Sequence, residues 1–305
     1  MAPKGRSTNE IELSARDVLE NIGIGIYKEE KKKTETYESD LIGKLSKAEF
    51  LDGLYRATGG TVRPGPSHFS QLDYRYHTNN TIYSGDERNP CYGREKNRFS
   101  ESQEYGCSNI YIKGNENNLN GTACAPPRRR HICDQNLEFL DNPHTDDTDD
   151  LLGNVLVTAK YEGESIVKNH PDKKNNGNKS GICTSLARSF ADIGDIVRGR
   201  DMFKSNEKVE IGLKKVFDKI YAKLGTEGKK YYNDGTGNYV KLREDWWKVN
   251  RDQVWKALTC YAPNNANYFI GSGNKSKSFS DHKCGHGDKD VPTNLDYVPQ
   301  FLRWY

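Results

Sequence analysis

Apolar residues recur at spacings of three and four along much of this chain. Ile11, Ala15, Val18, Leu19 and Ile22 form the first such stripe and predict an amphipathic helix near the N-terminus. Ser7 and Glu10 are spaced as a capping box at its start, while Gly23 and Gly25 weaken the helix beyond residue 22. Leu41, Leu45, Ala48 and Leu51 predict a second short helix over 40–54. Gly59, Gly60, Pro64, Gly65 and Pro66 then read as a linker. Beyond residue 146 the pattern becomes persistently helical. Asp146, Asp147, Asp149 and Asp150 stand where a helix N-terminus attracts negative charge, ahead of Leu152, Val155, Leu156 and Ala159. Ile182, Leu186, Phe190, Ile193 and Val197 make the next stripe. Val209, Leu213, Val216, Phe217, Ile220 and Leu224 make the clearest one, closed by Gly225. A further helix is expected from Leu242 to Tyr261, carrying Trp246, Trp247, Val254, Trp255 and Leu258. A long polar loop to Val291 and a last helix from Thr293 complete the reading. Successive amphipathic helices of this kind predict a bundle.

The stretch between about 70 and 145 differs. Its tyrosines, Gly and Asn punctuation predict short strands and long turns, with a short helix from His131 to Leu140. Seven cysteines stand at 91, 107, 124, 133, 183, 260 and 284. None forms a CxxC pair, and four fall within this aliphatic-poor segment, where cross-links substitute for burial. The pattern implies an oxidising environment. The odd total leaves one thiol free or partnered elsewhere. The second alternative is favoured, because Phe301-Leu-Arg-Trp-Tyr305 reads as a helix cut before it finished packing, exposing Val298, Phe301, Leu302 and Trp304. The chain is therefore expected to be a piece of a longer protein.

Hydrophobic residues make up only 34% of the 305 residues and charged ones 29%, so the core is thin and the solvated surface large. The longest apolar patch, Ile22 to Tyr27, is far short of a membrane span, and residues 1–10 lack the apolar region of a secretory signal. A net charge of +3 does not suggest nucleic acid.

No motif predicts catalysis, and no catalytic residue, cofactor or metal ligand is assigned. Gly-Asn-Lys-Ser occurs at 177–180 and 273–276, but Asn intrudes where a phosphate loop needs Gly before Lys. Both are also glycosylation sequons, with Asn79 and Asn120. His282, Cys284 and His286 lack a fourth zinc ligand at the usual spacing, so Cys284 is read as half of a disulfide. The aspartates at 146–150 lack the order of a calcium loop and are read as capping. Basic clusters at Lys31–Lys33, Arg128–Arg130, Lys173–Lys174, Lys214–Lys215 and Lys229–Lys230 offer an electrostatic surface for a sulfated polysaccharide. Within it Lys214, Lys215, Lys229, Lys230, Arg128, Arg129 and Arg130 are the glycan-binding candidates. Lys214 and Lys215 point away from the apolar stripe. For Arg128–Arg130 a second reading stands beside the first, in which the guanidinium groups hold carboxylates internally.

Four segments carry a resemblance. Cys124-Ala-Pro-Pro-Arg-Arg-Arg-His-Ile-Cys133, Phe190-Ala-Asp-Ile-Gly-Asp-Ile-Val-Arg-Gly-Arg-Asp-Met-Phe203, Arg243-Glu-Asp-Trp-Trp247 and Pro292 to Trp304 resemble the Duffy-binding-like domain of malaria parasites. The likeness is to the alpha class at the head of the erythrocyte membrane protein 1 variant antigens, preceded by their N-terminal segment. It implies a mainly α fold, in which a disulfide-rich mixed subdomain with short strands precedes a helical bundle. The expected organisation is an N-terminal segment over 1–70, a cysteine-rich subdomain over 71–145, and a bundle over 146–305 that ends before a third subdomain. By analogy Cys91, Cys107, Cys124 and Cys133 pair among themselves, in one of three connectivities. Cys183 is expected to join Cys260, leaving Cys284 for the missing part.

The resemblance further implies display on the infected erythrocyte without a classical cleaved signal, anchored by a transmembrane segment downstream. Expected partners are erythrocyte or endothelial surface receptors, among them heparan sulfate, blood-group sugars and complement receptor. Met202-Phe203-Lys204 and the two cysteines within 192–305 resemble the rosetting-linked subset. Two rival readings are an antigenic spacer without its own ligand and a metal- or nucleotide-dependent enzyme using the 271–286 loop.

Overall fold

The computed structural model describes residues 14–32, 37–51, 62–99, 104–115, 123–174, 179–204, 207–273 and 276–304. Six helices of more than one turn organise them: α1 (Ala15–Lys32), α2 (Thr148–Asn169), α3 (Ser180–Arg198), α4 (Glu207–Lys223), α5 (Thr226–Tyr232) and α6 (Val240–Leu258). Two antiparallel hairpins accompany them, β1 (Glu49–Leu51) with β2 (Val62–Pro64), and β3 (Phe269–Gly273) with β4 (Ser276–Phe279). None of these helices is long and apolar enough to cross a membrane.

The bundle forms where the periodicity predicts it. Asp147 caps α2, its carboxylate accepting from the Asp149 and Asp150 amides at 2.9 and 3.0 Å. α2 stops before Pro171, and α3 closes on Gly199, whose φ of 71° is left-handed. α2 lies along α6, and α3 packs against both. At the centre Phe190 stands 5.2 Å from both Trp247 and Trp255. The two adjacent tryptophans of α6 find polar partners, Trp246 on the Thr148 hydroxyl at 2.7 Å and Trp247 on Asp296 at 2.9 Å. The α2–α6 contact depends on Gly163, because a Cβ there would sit 1.8 Å from the Leu258 carbonyl oxygen.

Four expectations are corrected. First, α1 exists, but Val18 and Ile22 of its apolar stripe face outward, 44% and 37% exposed, with Leu19 packed against the core and Ile11 outside the described residues, while Asp17, Glu20 and Gly23 are buried. The cause is a polar seam. Glu20 accepts from the Thr293 hydroxyl at 2.8 Å, the Asn294 amide at 3.1 Å and the Tyr268 hydroxyl. Gly23 lies so close to the Asn294 carbonyl that no side chain fits. Ser14 and Asp17 cap the helix reciprocally at 3.2 and 2.9 Å; Ser7 and Glu10 lie outside the described residues.

Second, the stretch expected as a helix over 40–54 is two 3-10 turns, Glu38–Leu41 and Leu45–Lys47, followed by β1; residues 52–54 lie outside the described ones. Its apolar positions are buried as expected. Its backbone N–H groups, however, are taken by other elements: Gly43 by Asn250, Lys44 by Asp149 and Glu49 by Asp150, at 2.9, 2.6 and 2.7 Å. Tertiary acceptors thereby outcompete the helical i−4 carbonyls.

Third, the helix expected over 131–140 divides into a one-turn helix Pro127–Arg130 and a 3-10 turn Gln135–Phe139, and the loop after α6 contains the β3–β4 hairpin. Fourth, the C-terminal segment forms only a 3-10 turn Leu295–Tyr297 and one helical turn Gln300–Arg303, separated by Pro299. Val298 and Trp304 are buried and Leu302 half-buried, so only Phe301 of the expected exposed set faces solvent.

The disulfides follow from this geometry. Cys91 pairs with Cys133 and Cys107 with Cys124, one of the three arrangements expected. The Cys183–Cys260 expectation is corrected: Cys183 pairs with Cys284, and Cys260 is free. A left-handed turn through Lys283, Cys284 and Gly285 carries Cys284 to α3, while the Cys284 amide donates to the Ala266 carbonyl at 2.7 Å. Cys260 lies just past α6, where Lys283 holds its carbonyl at 3.0 Å and burial pushes its thiol pKa up. Peptide mapping of unreduced protein is expected to recover these three bridges and one alkylated cysteine at 260. Replacing Cys183 and Cys284 by Ser opens a loop of 101 residues, and about 2–4 kcal/mol of stability should be lost in denaturant unfolding.

Candidate interaction surface

Two classes of basic residue separate once the chain is folded. α3 presents Asp192, Asp195 and Arg198 three residues apart, with Asp201 just beyond its end, and arginines from distant segments converge on them. Arg128 and Arg303 both bind Asp192, the latter at 2.8 Å, and Arg303 also binds Asp195. Arg129 holds Asp201 through Nε at 3.0 Å, and Gln300 donates to the same carboxylate at 2.8 Å. Arg198 reaches Asp195 and Glu244 at 3.2 and 3.3 Å. All these groups are nearly or wholly buried. Burial alone would raise the Asp192 carboxyl; Arg128, Arg303 and Arg129 together hold it below the usual carboxylate range.

Arg128 and Arg129 are therefore unavailable to a surface polysaccharide, and the glycan assignment is corrected for them. The internal-pairing alternative describes both. Arg130 is half-buried, donates to the Glu104 carbonyl at 3.1 Å and lies over Tyr111.

The lysine candidates are placed outward. Lys214 and Lys215 are exposed on α4, Lys230 is exposed on α5, and Lys229 is half-buried. Lys215 is tied to Asp141, and its neighbour Lys223 sits 2.5 Å from Asp146. Lys214 is only 4.0 Å from Glu210, whose two oxygens already accept from Arg243 at 2.9 and 3.0 Å. Lys229 and Lys230 form no ion pair among the described residues. Lys214 also borders a groove of about 460 Å³ at the start of α4, walled by Ile196, Phe203, Val209 and Ile211, with Lys113 and Lys204 and the carboxylates of Asp201, Glu207 and Glu210 also lining it. The groove is assembled by the bridge between Ile112 and Phe203. Periodicity did not anticipate it, although Ile211, an exposed apolar residue off the buried stripe, was the available signal.

The remaining candidates resolve structurally. The oxygens of Asp146, Asp147 and Asp150 lie within 4.8 Å of one another, with Asp147 capping α2 and Lys223 bridging to Asp146. Asp150 accepts from the Glu49 and Asp146 amides at 2.7 and 3.1 Å, yet burial and its acidic neighbours push it up to about 7. Cys284 is in a disulfide and His286 meets the Thr259 hydroxyl at 2.9 Å, so these residues do not converge on a metal. Asn79 is 2% exposed, its amide clamped between Leu51 and Thr145, which leaves no room for a glycan. Asn120, Asn178 and Asn274 lie outside the described residues.

Comparison with known proteins accounts for this arrangement. The family model of the Duffy binding domain matches residues 122–303, and that of the N-terminal segments of PfEMP1 matches 14–49. This chain belongs to the Duffy-binding family. It combines an N-terminal segment with a Duffy-binding-like domain of the alpha class. The NTS-DBL1-alpha and CIDR-gamma double domain of PfEMP1 from the Plasmodium falciparum varO strain is 60% identical with a TM-score of 0.89, over 96% of this chain and 43% of that one. A DBLb domain of PfEMP1 bound to human ICAM-1 is 28% identical with a TM-score of 0.68, over 99% and 62%. The Plasmodium knowlesi Duffy receptor beta form is 27% identical over 59% of this chain. The chain spans 14% of that receptor's length and less than two thirds of either structure.

The charged interior has two measurable consequences. Asp192→Asn removes the anion shared by two buried guanidinium groups and should cost about 3–5 kcal/mol in denaturant unfolding. The Asp150 carboxyl, followed by carbon NMR, should titrate near pH 7. Its folded pKa lies above its unfolded value, so its contribution to stability is full below about pH 4 and is lost as pH rises through 7.

Proposed function

We propose that this chain is an adhesion module of a variant antigen on the infected red cell, binding host receptors or glycans through the groove and lysines at the start of α4. The observation that supports it most directly is Lys214: a cation bordering the groove, whose one ion pair among the described residues is with a Glu210 carboxylate already committed to Arg243. A surface of this kind suits a sulfated polysaccharide such as heparan sulfate. Its apolar walls also suit a protein receptor or a blood-group sugar. The ICAM-1-bound relative supports the receptor class without fixing the partner. In this reading residues 1–70, 71–145 and 146–305 remain the organisational units, the activity is binding rather than catalysis, and the membrane anchor belongs to sequence downstream.

Charge reversal tests it. Lys214→Glu with Lys215→Glu is expected to lower heparin and red-cell binding on the order of tenfold at moderate salt, with the thermal unfolding midpoint unchanged. Binding by the unaltered chain should collapse toward 1 M salt, where screening acts over about 3 Å. Full binding by the variant, or salt-insensitive binding, would remove the electrostatic surface and favour the spacer reading.

A further inference from the structure

In the groove at the start of α4, cations and carboxylates do not balance. Asp201 is already held by Arg129 and Gln300, and Glu210 by Arg243, so both are neutralised from the scaffold side. Of the lining carboxylates only Glu207 forms no ion pair among the described residues. Lys113 and Lys214 face it from the same groove, and Lys204 adds further positive potential. The Lys113 ammonium donates to a neutral group, the Asp201 carbonyl, at 2.9 Å, and Lys214 is 4.0 Å from the carboxylate that Arg243 occupies.

Between these charges the lining is apolar. Ile196, Phe203 and Val209 are buried there, while Ile211 is 46% exposed. The apolar surface continues past the groove. The Tyr111 ring stacks on Phe203 at 6.1 Å, and Tyr111 and its neighbour Ile110 are 39% and 74% exposed. Single exposed apolar residues are ordinary, but a cluster of them rimmed by charge marks a contact surface for another protein. A polyanionic chain gains nothing from such walls and is repelled by Glu207. A protein segment can place an apolar side chain in the groove and carboxylates on the surrounding lysines, the arrangement of a central anchor with a polar rim.

We propose that this groove receives a segment of a partner protein. One large apolar side chain, leucine or an aromatic, enters between Phe203, Val209 and Ile211, and carboxylates flanking it meet Lys113 and Lys214. The inference rests on the adhesion reading of this surface and narrows its partner to a protein.

The test is methyl-resolved NMR of the 305-residue chain, titrated with a hexapeptide that carries a leucine–phenylalanine pair between two pairs of glutamates, blocked at both ends. Saturable shifts are expected at the Ile196, Val209 and Ile211 methyls. Replacing the central pair by alanines should weaken binding about tenfold or more, and exchanging the glutamates for lysines should weaken it as well. Ile211→Gln should weaken binding about tenfold with the unfolding midpoint unchanged, because that side chain lies outside the buried stripe of α4. No saturable shift at these methyls, equal binding of the alanine-centred peptide, or equal binding by Ile211→Gln overturns the proposal. Heparin that displaces the peptide and is itself weakened by Ile211→Gln assigns the groove to a polysaccharide and overturns it too. The two readings fail separately. Peptide binding absent with heparin binding retained removes the groove and leaves the lysine surface. Heparin and red-cell binding untouched by Lys214→Glu with Lys215→Glu removes the adhesion reading and leaves the peptide result standing.

Discussion

The structure depends on buried ion pairing between α3 and the segments that flank it. Asp192, Asp195 and Asp201 are fixed relative to one another by a single helix and the turn after it. The arginines that meet them come from the cysteine-rich segment and from the last turn of the chain. Removing such charges from water is expensive, and the cost is recovered only when every partner is in place. The network therefore acts less as an adhesive than as a gauge. It accepts one arrangement of the Pro127–Arg130 turn, α3 and the C-terminal turn, and penalises others. Cys91–Cys133 and Cys107–Cys124 serve the same end where apolar residues are sparse, and Cys183–Cys284 closes a loop of 101 residues from within the core.

Charge is consequently divided between an interior that is internally neutralised and a surface where cations remain available. A count of basic residues along the chain conflates the two. Arg128, Arg129 and Arg303 belong to the scaffold, whereas Lys214, Lys215 and Lys230 face water. Exposed ion pairs such as Lys215–Asp141 are weak and screened, so a multiply charged ligand can displace them. Pairs such as Arg303–Asp192 cannot be exchanged without unfolding.

Much of the bundle was legible in the sequence, because long stripes with a 3.6-residue period at 209–224 and 182–197 match one element type and little else. The short elements were not. Leu41, Leu45 and Ala48 satisfy both a helix and successive tight turns, and Asp149, Asp150 and Asn250 decide between them from over a hundred residues away. For α1 the error lay in the face: Val18 and Ile22 look like core, but Glu20 and Gly23 have the complementary partners. The Cys183 pairing was illegible for a related reason, since it rests on three consecutive left-handed residues at 283–285. Arg128 and Arg129 were ambiguous because charge alone does not reveal whether a carboxylate waits inside.

The seam of α1 separates its two sides in another respect. Its inward contacts centre on the Glu20 carboxylate, the bare backbone of Gly23 and the Tyr27 ring, whereas Val18, Ile22 and Ile26 are 37–44% exposed. Replacements along that outer ridge leave the docking contacts unchanged. The helix can thus vary along its outer ridge while keeping its seat on the bundle.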